Sequence, residues 1–599
     1  MSRTNIYKQF DQIDGNHDMK KAVPNSFVPY KARVRRDGKV IYFNFKLAKD
    51  MGLIGKRHEH KLNKQLEQKI TETFALQIIN EYDIINKTKF NENEIKSNTY
   101  MATRYLQLQH EDNQGLHSGD GRSIWNGQYE DNGCKWDISS CGTGGTRLSP
   151  ATTTNQKYFE TGDPSISYGC GYCDLADGIS GAIMSEVLFN TGLRTERTLA
   201  VIEFPNDLSI NVRVAESLIR PSHIFLHNKQ ENMNALKASM DLYIKRLREN
   251  KSWKPENSSK SKYQQLIEKV AESFADITAR FEHEYIFCWL DWDGDNILMD
   301  GSIIDYGSIR QFGLFHSEYR YDDVERWSTT IKEQKQKARY IVQTFAQIAN
   351  AIDSGTKENI KNFYDSSTTR LFDKAYKKYK RLYLLERVGL DRNQAENFIS
   401  SKSQRLEKFE SAFYYFERQK SINGKYNTGD GVTWDAVFCM RDLLRVLPHK
   451  LANDQNIEIE EFVSILRSSY ASDEDCEINT YRKNKYEEFM DGYHYLIKTL
   501  ANSENRQIKD VIAKIITKSD IINKEEKLTG DAILHITNTL MKSRKTLTRY
   551  EFQNIIESFI QEQSSSQKIC GDDLAKSPNK KKQILAQMHN IVFEYREGI

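Results

Sequence analysis

The chain contains little proline, little cysteine and no strong excess of charge of either sign. Its 599 residues include 9 prolines and 8 cysteines, and the formal net charge is +3. The near balance of charge argues against nucleic-acid binding through a large basic surface. No run of about 18 apolar residues occurs, and residues 1–8 lack the apolar stretch of a secretion signal. We therefore expect a cytoplasmic protein that binds neither nucleic acid nor membrane.

The apolar pattern divides the chain into a mixed half and a helical half. With 38 % apolar and 28 % charged residues, the composition is that of a globular protein. Residues 39–45 read as a strand, and apolar residues recur every four positions from Leu62 to Ile78, as in an amphipathic helix. Residues 101–175 are rich in Gly, Thr, Ser and Asn, which predicts short strands and functional loops. The remaining predictions are a helix over 181–190, strands over 198–204 and 209–214, mostly helix after residue 230 with a strong helix over 340–352, and a linker over 561–582.

The most informative segment places Asp295 next to Asn296 and a second acidic residue, Asp305, ten positions later. Short apolar stretches flank the turn Asp300–Gly301 between them, which predicts a hairpin that carries polar side chains on a rigid support. Carboxylate and amide oxygens are the ligands that Mg²⁺ prefers, and an Asp can also accept a proton from an attacking hydroxyl. The segment therefore predicts a site for Mg²⁺ on a nucleotide.

The same segment offers a second candidate base. Asp291 precedes Asn296 by five residues, which is the spacing of the catalytic Asp in the catalytic loop of ordinary protein kinases. The alternating Asp291, Asp293 and Asp295 resemble the start of a calcium loop. We reject that interpretation because Gly and Glu are missing at the sixth and twelfth positions, Asn296 and Ser302.

Two glycine-containing segments are candidate phosphate loops. Gly119 and Gly121 precede Arg122, whose guanidinium could pair with phosphate oxygens. Gly142 and Gly144 lie in a turn whose backbone N–H groups could cradle phosphate. Either segment alone is also compatible with an ordinary turn.

Arg213 and Arg220 lie seven residues apart in a third polar segment. They would share one helical face, or would lie at a strand end and in the helix that follows. Both could grip a polyphosphate, although two surface ion pairs would account for them equally simply.

The cysteines allow two interpretations. Cys170 and Cys173 form a CxxC pair that could bind zinc together with Cys134 and Cys141. The six residues between Cys134 and Cys141 exceed the usual spacing, and reduced thiols packed in a core or loop are the simpler interpretation. His223 and His227 have helical spacing but no third ligand nearby, so we interpret them as ordinary polar residues.

Taken in order, these segments resemble the selenoprotein O family of kinase-like protein adenylyltransferases. That family carries GDGR, KGAGxTPxSR, RVAxSxxR and TDN…DYG segments in this order. The matching segments here are residues 119–122, 141–150, 213–220 and 294–307. Residues 43–53 are similar to the family's N-terminal FNxxLAxxLGL stretch. The resemblance covers residues 25–350, and the ordered set is more specific than any one segment.

The resemblance implies an α+β, bilobal protein-kinase-like fold with a long helical C-terminal extension. It divides the chain into an N-terminal segment (1–100), an N-lobe-like nucleotide-binding region (101–230), a C-lobe core with the metal-binding loop (231–350) and a helical region (351–599). The implied reaction is transfer of AMP from ATP to a Ser, Thr or Tyr hydroxyl of a protein, assisted by Mg²⁺ or Mn²⁺. The sequence leaves the identity of that protein open.

The resemblance also implies roles for individual residues. Gly119, Gly121 and Arg122 would contact the nucleotide, and Arg213 and Arg220 would hold its phosphates in a flipped orientation that exposes the α-phosphate. Asp295 would be the general base. Asn296 and Asp305 would bind the metal.

Three departures from the family pattern leave the activity open. The family's nucleotide-binding Lys falls on Cys141, and its partner Glu falls near Gly181, with only Glu186 of that region kept. Arg147 or Lys157 could replace the lost charge, or catalysis could be weak or absent, which would leave a nucleotide-binding scaffold. The family's His-Gly dipeptide falls on residues 289–290, and Asp291 nearby would make γ-phosphoryl transfer by a kinase plausible.

Overall fold

The structure is a computed structural model, and part of the chain is described. The described residues are 6–108, 110–166, 170–287, 293–304, 306, 310–311, 318–320, 327–328, 331–400, 403–428, 431–453, 457–524, 527–564 and 579–595. Asp291 and Asp305 lie outside these residues. Within them, none of the helices has the length and apolar character needed to cross a membrane.

Fifteen strands are found in the described residues. They are β1 (Phe27–Val34), β2 (Lys39–Phe43), β3 (Leu76–Ile78), β4 (Ile95–Thr103), β5 (Ser123–Asp131), β6 (Cys134–Cys141), β7 (Cys173–Asp174), β8 (Arg197–Phe204), β9 (Leu208–Ala215), β10 (Ile286–Phe287), β11 (Arg310–Gln311), β12 (Glu318–Arg320), β13 (Trp327–Ser328), β14 (Lys420–Thr428) and β15 (Gly431–Ala436).

Helices make up most of the rest. They are α1 (Met19–Ala22), α2 (Phe45–Asp50), α3 (Lys64–Phe74), α4 (Glu81–Ile85), α5 (Pro150–Asn155), α6 (Leu175–Asn190), α7 (Pro221–Lys229), α8 (Met233–Glu249), α9 (Lys262–Glu284), α10 (Ile331–Ser354), α11 (Ser367–Val388), α12 (Arg392–Ser400), α13 (Gln404–Glu417), α14 (Met440–Ala452), α15 (Ile459–Leu466), α16 (Thr480–Glu504), α17 (Ile508–Ile522), α18 (Gly530–Arg544), α19 (Arg549–Gln563) and α20 (Lys580–Glu594). Short 3-10 turns span Lys8–Gln12, Pro24–Ser26, Glu92–Glu94 and Ile360–Phe363.

The N-terminal half is built on one large antiparallel sheet. Its strand order is β2-β8-β9-β6-β5-β4-β1-β3, and β7 pairs with β9 beside the end of β6. The hairpin between β5 and β6 turns at Asn132 and Gly133, which both have positive φ, as a two-residue turn of this kind requires. The long helices of the C-terminal half follow the sheet in the chain. The expected α+β, bilobal kinase-like architecture with a helical C-terminal region is confirmed.

Apolar side chains cover both faces of this sheet. Val40 belongs to the core formed with the N-terminal helices, whereas its neighbour Ile41 belongs to the core formed with α6 and the C-terminal helices. Ile202 and Val201 divide in the same way. Successive side chains of a strand point to opposite faces, so an uninterrupted apolar run marks a strand that is covered on both sides.

The last helices return to the N-terminal sheet. Thr537 of α18 hydrogen-bonds Ser180 of α6 (2.9 Å between the hydroxyl oxygens), and Arg544 pairs with Glu203 of β8 at 2.7 Å. Gln553 of α19 donates to the backbone oxygen of Phe43 at 3.1 Å. The C-terminal helices therefore pack directly against the half of the molecule that carries the predicted nucleotide loops.

Most predicted elements are present with shifted ends. The strand over 39–45 is β2, and the helix over 340–352 is the C-terminal part of the longer α10. The helix predicted through Ile78 ends at Phe74, because Ile78 belongs to β3 and pairs with Ala32 of β1. The β14–β15 hairpin was not predicted, since β14 is rich in Lys, Asn and Gly and has little apolar content.

Candidate active site

A cleft of about 430 Å³ lies between the sheet, α6, α18 and the predicted metal-binding segment. It collects residues that are far apart in the sequence. Its lining residues are Arg122, Cys141, Cys173, Asp177, Ser180, Gly181, Met184, Glu196, Asn211, Arg213, Arg220, Asn296, Ile304, Tyr306, Gly530, Ile533 and Leu534. The three arginines selected from the sequence thus face the same space as Asn296.

Arg213 enters the cleft from β9 and is paired with Glu196. The guanidinium lies 3.5 Å from the Glu196 carboxylate, and the two side chains are 17 % and 3 % exposed. Burial alone would lower the pKa of Arg213, but Glu196 and then Cys141 raise it above its ordinary value. Arg213 is therefore a permanent cation held in place by a buried carboxylate.

Arg220 lies at the start of α7 and is fixed by three groups. Its Nη1 donates to the backbone oxygen of Asp295 at 2.9 Å, and its guanidinium stacks over the Tyr105 ring at 4.4 Å. The Asp120 carboxylate lies 4.0 Å away. Pro221, at the first helical position, starts the helix directly after this arginine. These contacts direct a charged side chain at the predicted metal-binding segment.

Asp295 and Asn296 occupy a turn that a short hairpin supports. Ile297 bridges Ile303 across the turn, as expected from the sequence, and the N–H of Leu298 donates to the oxygen of Ser302 at 2.9 Å. The Asp295 side chain is 3 % exposed and accepts a hydrogen bond of 3.2 Å from the Gln107 amide. Asn296 lines the cleft itself.

Arg122 and Cys141 both line the cleft, and each shifts the pKa of the other. The Cys141 thiol accepts a hydrogen bond from Cys173, which together with Arg122 and Arg213 lowers the Cys141 pKa well below its usual range, against the effect of burial. Cys141 in turn is the main cause of a raised pKa at Arg122. A cysteine whose pKa is lowered by two arginines thus stands where the family pattern predicts a lysine.

The four predicted glycines do not line this cleft in the described part of the chain. They instead allow close backbone packing behind it. A Cβ on Gly142, whose φ is +91°, would lie 2.3 Å from the Ser209 oxygen, and one on Gly119 would lie 2.2 Å from the Thr103 oxygen. Added Cβ atoms would meet Ser149 at Gly121 and Ile78 at Gly144. A nucleotide contact by these glycines stays a prediction.

The comparison with protein families decides the affiliation of the chain. A sequence model of the family described as protein adenylyltransferase SelO matches residues 28–538. This match spans most of the 599 residues. The chain belongs to the SelO family. Among curated proteins, no significant match is found.

Membership of the SelO family supports nucleotidyl transfer with ATP as the substrate. It also gives meaning to the altered ion pair. Cys141, on which the Lys of the family pattern is predicted to fall, and Gly181, near which its Glu is predicted to fall, both line the cleft. The retained Glu186 does not replace the missing partner, because Arg197 holds its two carboxylate oxygens at 2.7 Å each.

The two cations suggested as replacements lie elsewhere. Arg147 lies 3.9 Å from Glu81, and the Lys157 ammonium lies over the Phe159 ring at 5.4 Å. Neither lines the cleft in the described residues. A replacement of the lost charge by either residue therefore stays a prediction.

The zinc interpretation is wrong. Cys134 and Cys141 occupy opposite ends of β6 and point to different surroundings. All four cysteines are free thiols, and the described residues contain no group of three or more His, Cys, Asp or Glu side chains that could hold a metal ion. His223 and His227 are buried on α7 and hydrogen-bond Thr103 and Ser26, as expected for structural residues.

Sequence reasoning missed several lining residues. Glu196 immediately precedes β8, and Asn211 lies on β9 two residues before Arg213. A buried acid two residues from a predicted strand is a signal that could have drawn attention to Glu196. No local signal marks Gly530, Ile533 and Leu534, because their place in the cleft depends on α18 folding back more than 300 residues later in the chain.

Proposed function

We propose that the chain transfers AMP from ATP to hydroxyl side chains of a protein, with Mg²⁺ as the metal. The observation that carries this proposal is the convergence of Arg122, Arg213, Arg220 and Asn296 on one cleft. The residues come from three separate segments, and a polyphosphate with its metal is a ligand that explains three cations beside an amide oxygen.

The three arginines would hold the triphosphate. Each is held by a contact that leaves its charge in the cleft. Arg213 pairs with Glu196, Arg220 donates to the Asp295 backbone oxygen, and Arg122 donates to the Tyr172 backbone oxygen at 3.4 Å. Guanidinium groups bind phosphate oxygens through paired hydrogen bonds, and prior fixation reduces the entropy lost on binding. Arg213 and Arg220 would hold the phosphates so that the α-phosphate is exposed.

The donor atoms near the hairpin suit Mg²⁺. Asn296 offers an amide oxygen to the cleft, and Tyr306, which follows Asp305 in the chain, also lines it. Hard oxygen ligands of this type are those that Mg²⁺ takes, with substrate phosphates completing its shell. We propose that Asn296 and Asp305 hold the ion, which neutralises phosphate charge when bound.

Asp295 is our proposed base, with Asp291 as the competing candidate. The buried carboxylate of Asp295 would accept the proton of the protein hydroxyl as that oxygen attacks the α-phosphorus. The bond to the bridging oxygen then breaks and pyrophosphate leaves. Gln107 and Arg220 hold the Asp295 side chain and backbone, which supports a positioned base.

The test uses purified protein, Mg²⁺ and ATP labelled separately at the α- and γ-phosphates, followed by intact mass of the protein and of added proteins. We expect a gain of one AMP unit, lost in Asp295→Asn and in Asp305→Ala. Transfer of the γ-label alone would instead identify a kinase that uses Asp291. Absence of both nucleotide binding and labelling would refute the proposal.

A nucleotide-binding scaffold is the second candidate, and one observation favours it. The described lining of the cleft contains no lysine, because Cys141 stands in its place and Gly181 replaces the acidic partner. ATP that binds without turnover would raise the melting temperature, since a ligand that binds only the native state stabilises it. A thermal shift with no label transfer to any protein would establish this alternative.

A further inference from the structure

Cys141 and Cys173 are brought side by side by a shared neighbouring strand. Cys141, at the end of β6, pairs with Asn211 of β9, and Cys173 of β7 pairs with Ser209 of the same strand. Positions two apart on a strand share a face and are separated by about 6.6 Å. This is within the range of about 4.4–6.8 Å between Cα atoms that a disulfide bridges.

Both cysteines face the same space, because both line the cleft. Hydrogen bonding between the two thiols lowers the pKa of Cys141 and raises that of Cys173. A Cβ added to Gly142 would lie 2.9 Å from the Cβ of Cys173, so the glycine next to Cys141 permits a close approach of the two segments. Cysteines this close need little backbone movement to become covalently linked.

Charged groups from every neighbouring element act on Cys141. Arg122, Arg213 and the Ser123 hydroxyl favour its thiolate, while Cys173 is the hydrogen-bond donor and Asp177 of α6 lies 4.0 Å from the Cys173 sulfur. The thiolate, not the thiol, is the form that reacts with oxidants. Cys141 therefore has the environment of the attacking sulfur, and Cys173 that of the protonated partner.

The other cysteines near this site have the opposite character. Burial raises the pKa of Cys134 and of Cys170 to about 11 each. Cys170 forms the CxxC pair with Cys173 in the sequence, yet its own neighbour in space is the backbone at Gly145. The fold thus pairs Cys173 with Cys141 rather than with the cysteine three residues away.

We propose that Cys141 and Cys173 are a redox-active thiol pair, a modification site at which a hydroperoxide oxidises Cys141 and Cys173 then closes a disulfide in the cleft. In the first step an S–O bond forms as the O–O bond breaks, and the leaving oxygen takes up a proton and departs as water or an alcohol. In the second step the Cys173 sulfur attacks the sulfenic sulfur, and the S–O bond breaks. The proton of Cys173 leaves with the hydroxyl as water, so two thiols are oxidised and one peroxide is reduced.

The disulfide also changes the charge of the cleft, a consequence that rests on the proposed function. Oxidation removes the anionic sulfur beside Arg122 and Arg213 and leaves both guanidinium groups to phosphate. We expect ATP to bind on the order of tenfold more tightly to the oxidised protein, the size of one charge-assisted hydrogen bond.

The test treats the full-length protein with hydrogen peroxide, blocks remaining thiols with iodoacetamide and maps peptides by mass. We expect a cross-linked peptide pair containing Cys141 and Cys173, and its absence in Cys173→Ser, where a sulfenic-acid probe should label Cys141 instead. Cys170→Ser is the matched control and should still form the disulfide. Because the variants could misfold, the wild-type protein is also alkylated without oxidant, and Cys141 should react fastest among the mapped thiols.

Two outcomes would overturn the thiol pair: a Cys170–Cys173 disulfide, or an unmodified Cys141 in folded protein under peroxide. ATP affinity is then measured in the reduced and oxidised states. Equal affinities with the disulfide formed would refute the charge argument alone. No ATP binding in either state would contradict the proposed function and leave the thiol chemistry standing.

Discussion

The buried pair of Arg213 and Glu196 gives the sharpest test of the cleft. The two residues have different predicted roles: Glu196 holds the arginine in position, and Arg213 binds phosphate. The pair is largely buried, with 3.5 Å between the charged groups. Replacing Arg213 by Met removes the cation while keeping an unbranched apolar chain of similar length.

The expected magnitudes follow from burial and from the type of contact. Removing one partner of a buried ion pair leaves the other charge uncompensated, which costs about 3–5 kcal/mol of unfolding free energy. Loss of a charge-assisted hydrogen bond to phosphate costs about 1.5–3 kcal/mol of binding free energy. At about 1.4 kcal/mol per factor of ten, the second value corresponds to a loss of roughly 10- to 150-fold in ATP affinity.

A double-mutant cycle separates these two effects. We expect Arg213→Met to lose both stability and ATP affinity, and Arg213→Met combined with Glu196→Gln to recover much of the stability, because no buried charge is left alone. The ATP affinity should stay low in the double variant. Urea denaturation measures the first quantity, and titration calorimetry with Mg²⁺-ATP measures the second.

Adenosine is the ligand control, since it lacks the phosphates. The affinity of the folded Arg213→Met variant for adenosine should differ little from that of the wild-type protein. If adenosine and ATP lost equal affinity, or if the double variant regained full ATP affinity, Arg213 would have a structural role only. Arg370→Ala, which removes an exposed surface pair with Asp365, supplies the matched arginine control.

Three further predictions concern the scaffold. Glu284→Gln should lower the unfolding free energy by about 3–5 kcal/mol in urea denaturation. Lys527 and Arg280 lower the pKa of the buried Glu284 to about 2 against the effect of burial, and loss of its charge would leave these two cations uncompensated. A loss no larger than that of the partly exposed control Glu268→Gln would contradict this. Burial lowers the pKa of His227 from 6.5 to about 4. The stability that neutral His227 contributes is therefore full above pH 6.5 and is lost as the pH falls through 4, by up to about 3 kcal/mol. The variant His227→Gln should flatten this part of the profile of unfolding free energy against pH. An unchanged profile in the variant would mean that His227 is not buried in solution. Arg544→Ala should speed amide hydrogen exchange of residues 530–544 by roughly 5- to 30-fold. This factor corresponds to about 1–2 kcal/mol of local stability lost with the ion pairs to Glu203 and Asp207. Unchanged exchange would mean that α18 docks without these ion pairs.

The sequence by itself determined the elements whose pattern is local. The strand at residues 39–45 follows from a short uninterrupted apolar run, and the hairpin around Asp300–Gly301 follows from a turn between two apolar stretches. The sequence also selected Arg122, Arg213, Arg220 and Asn296, because an ordered set of short motifs with fixed spacing is far more specific than any one of them. The structure places these four residues in the same cleft.

Only the tertiary structure decided which side chains meet across long separations. The every-four pattern that continues to Ile78 could not reveal the end of α3, since pairing of β3 with β1 overrides local periodicity. The contact of Cys141 with Cys173 depends on two strands that share β9, and α18 reaches the cleft only because the C-terminal half folds back on α6. Such contacts are set by packing between distant segments, and packing energy depends on shape in three dimensions, which no local residue pattern records.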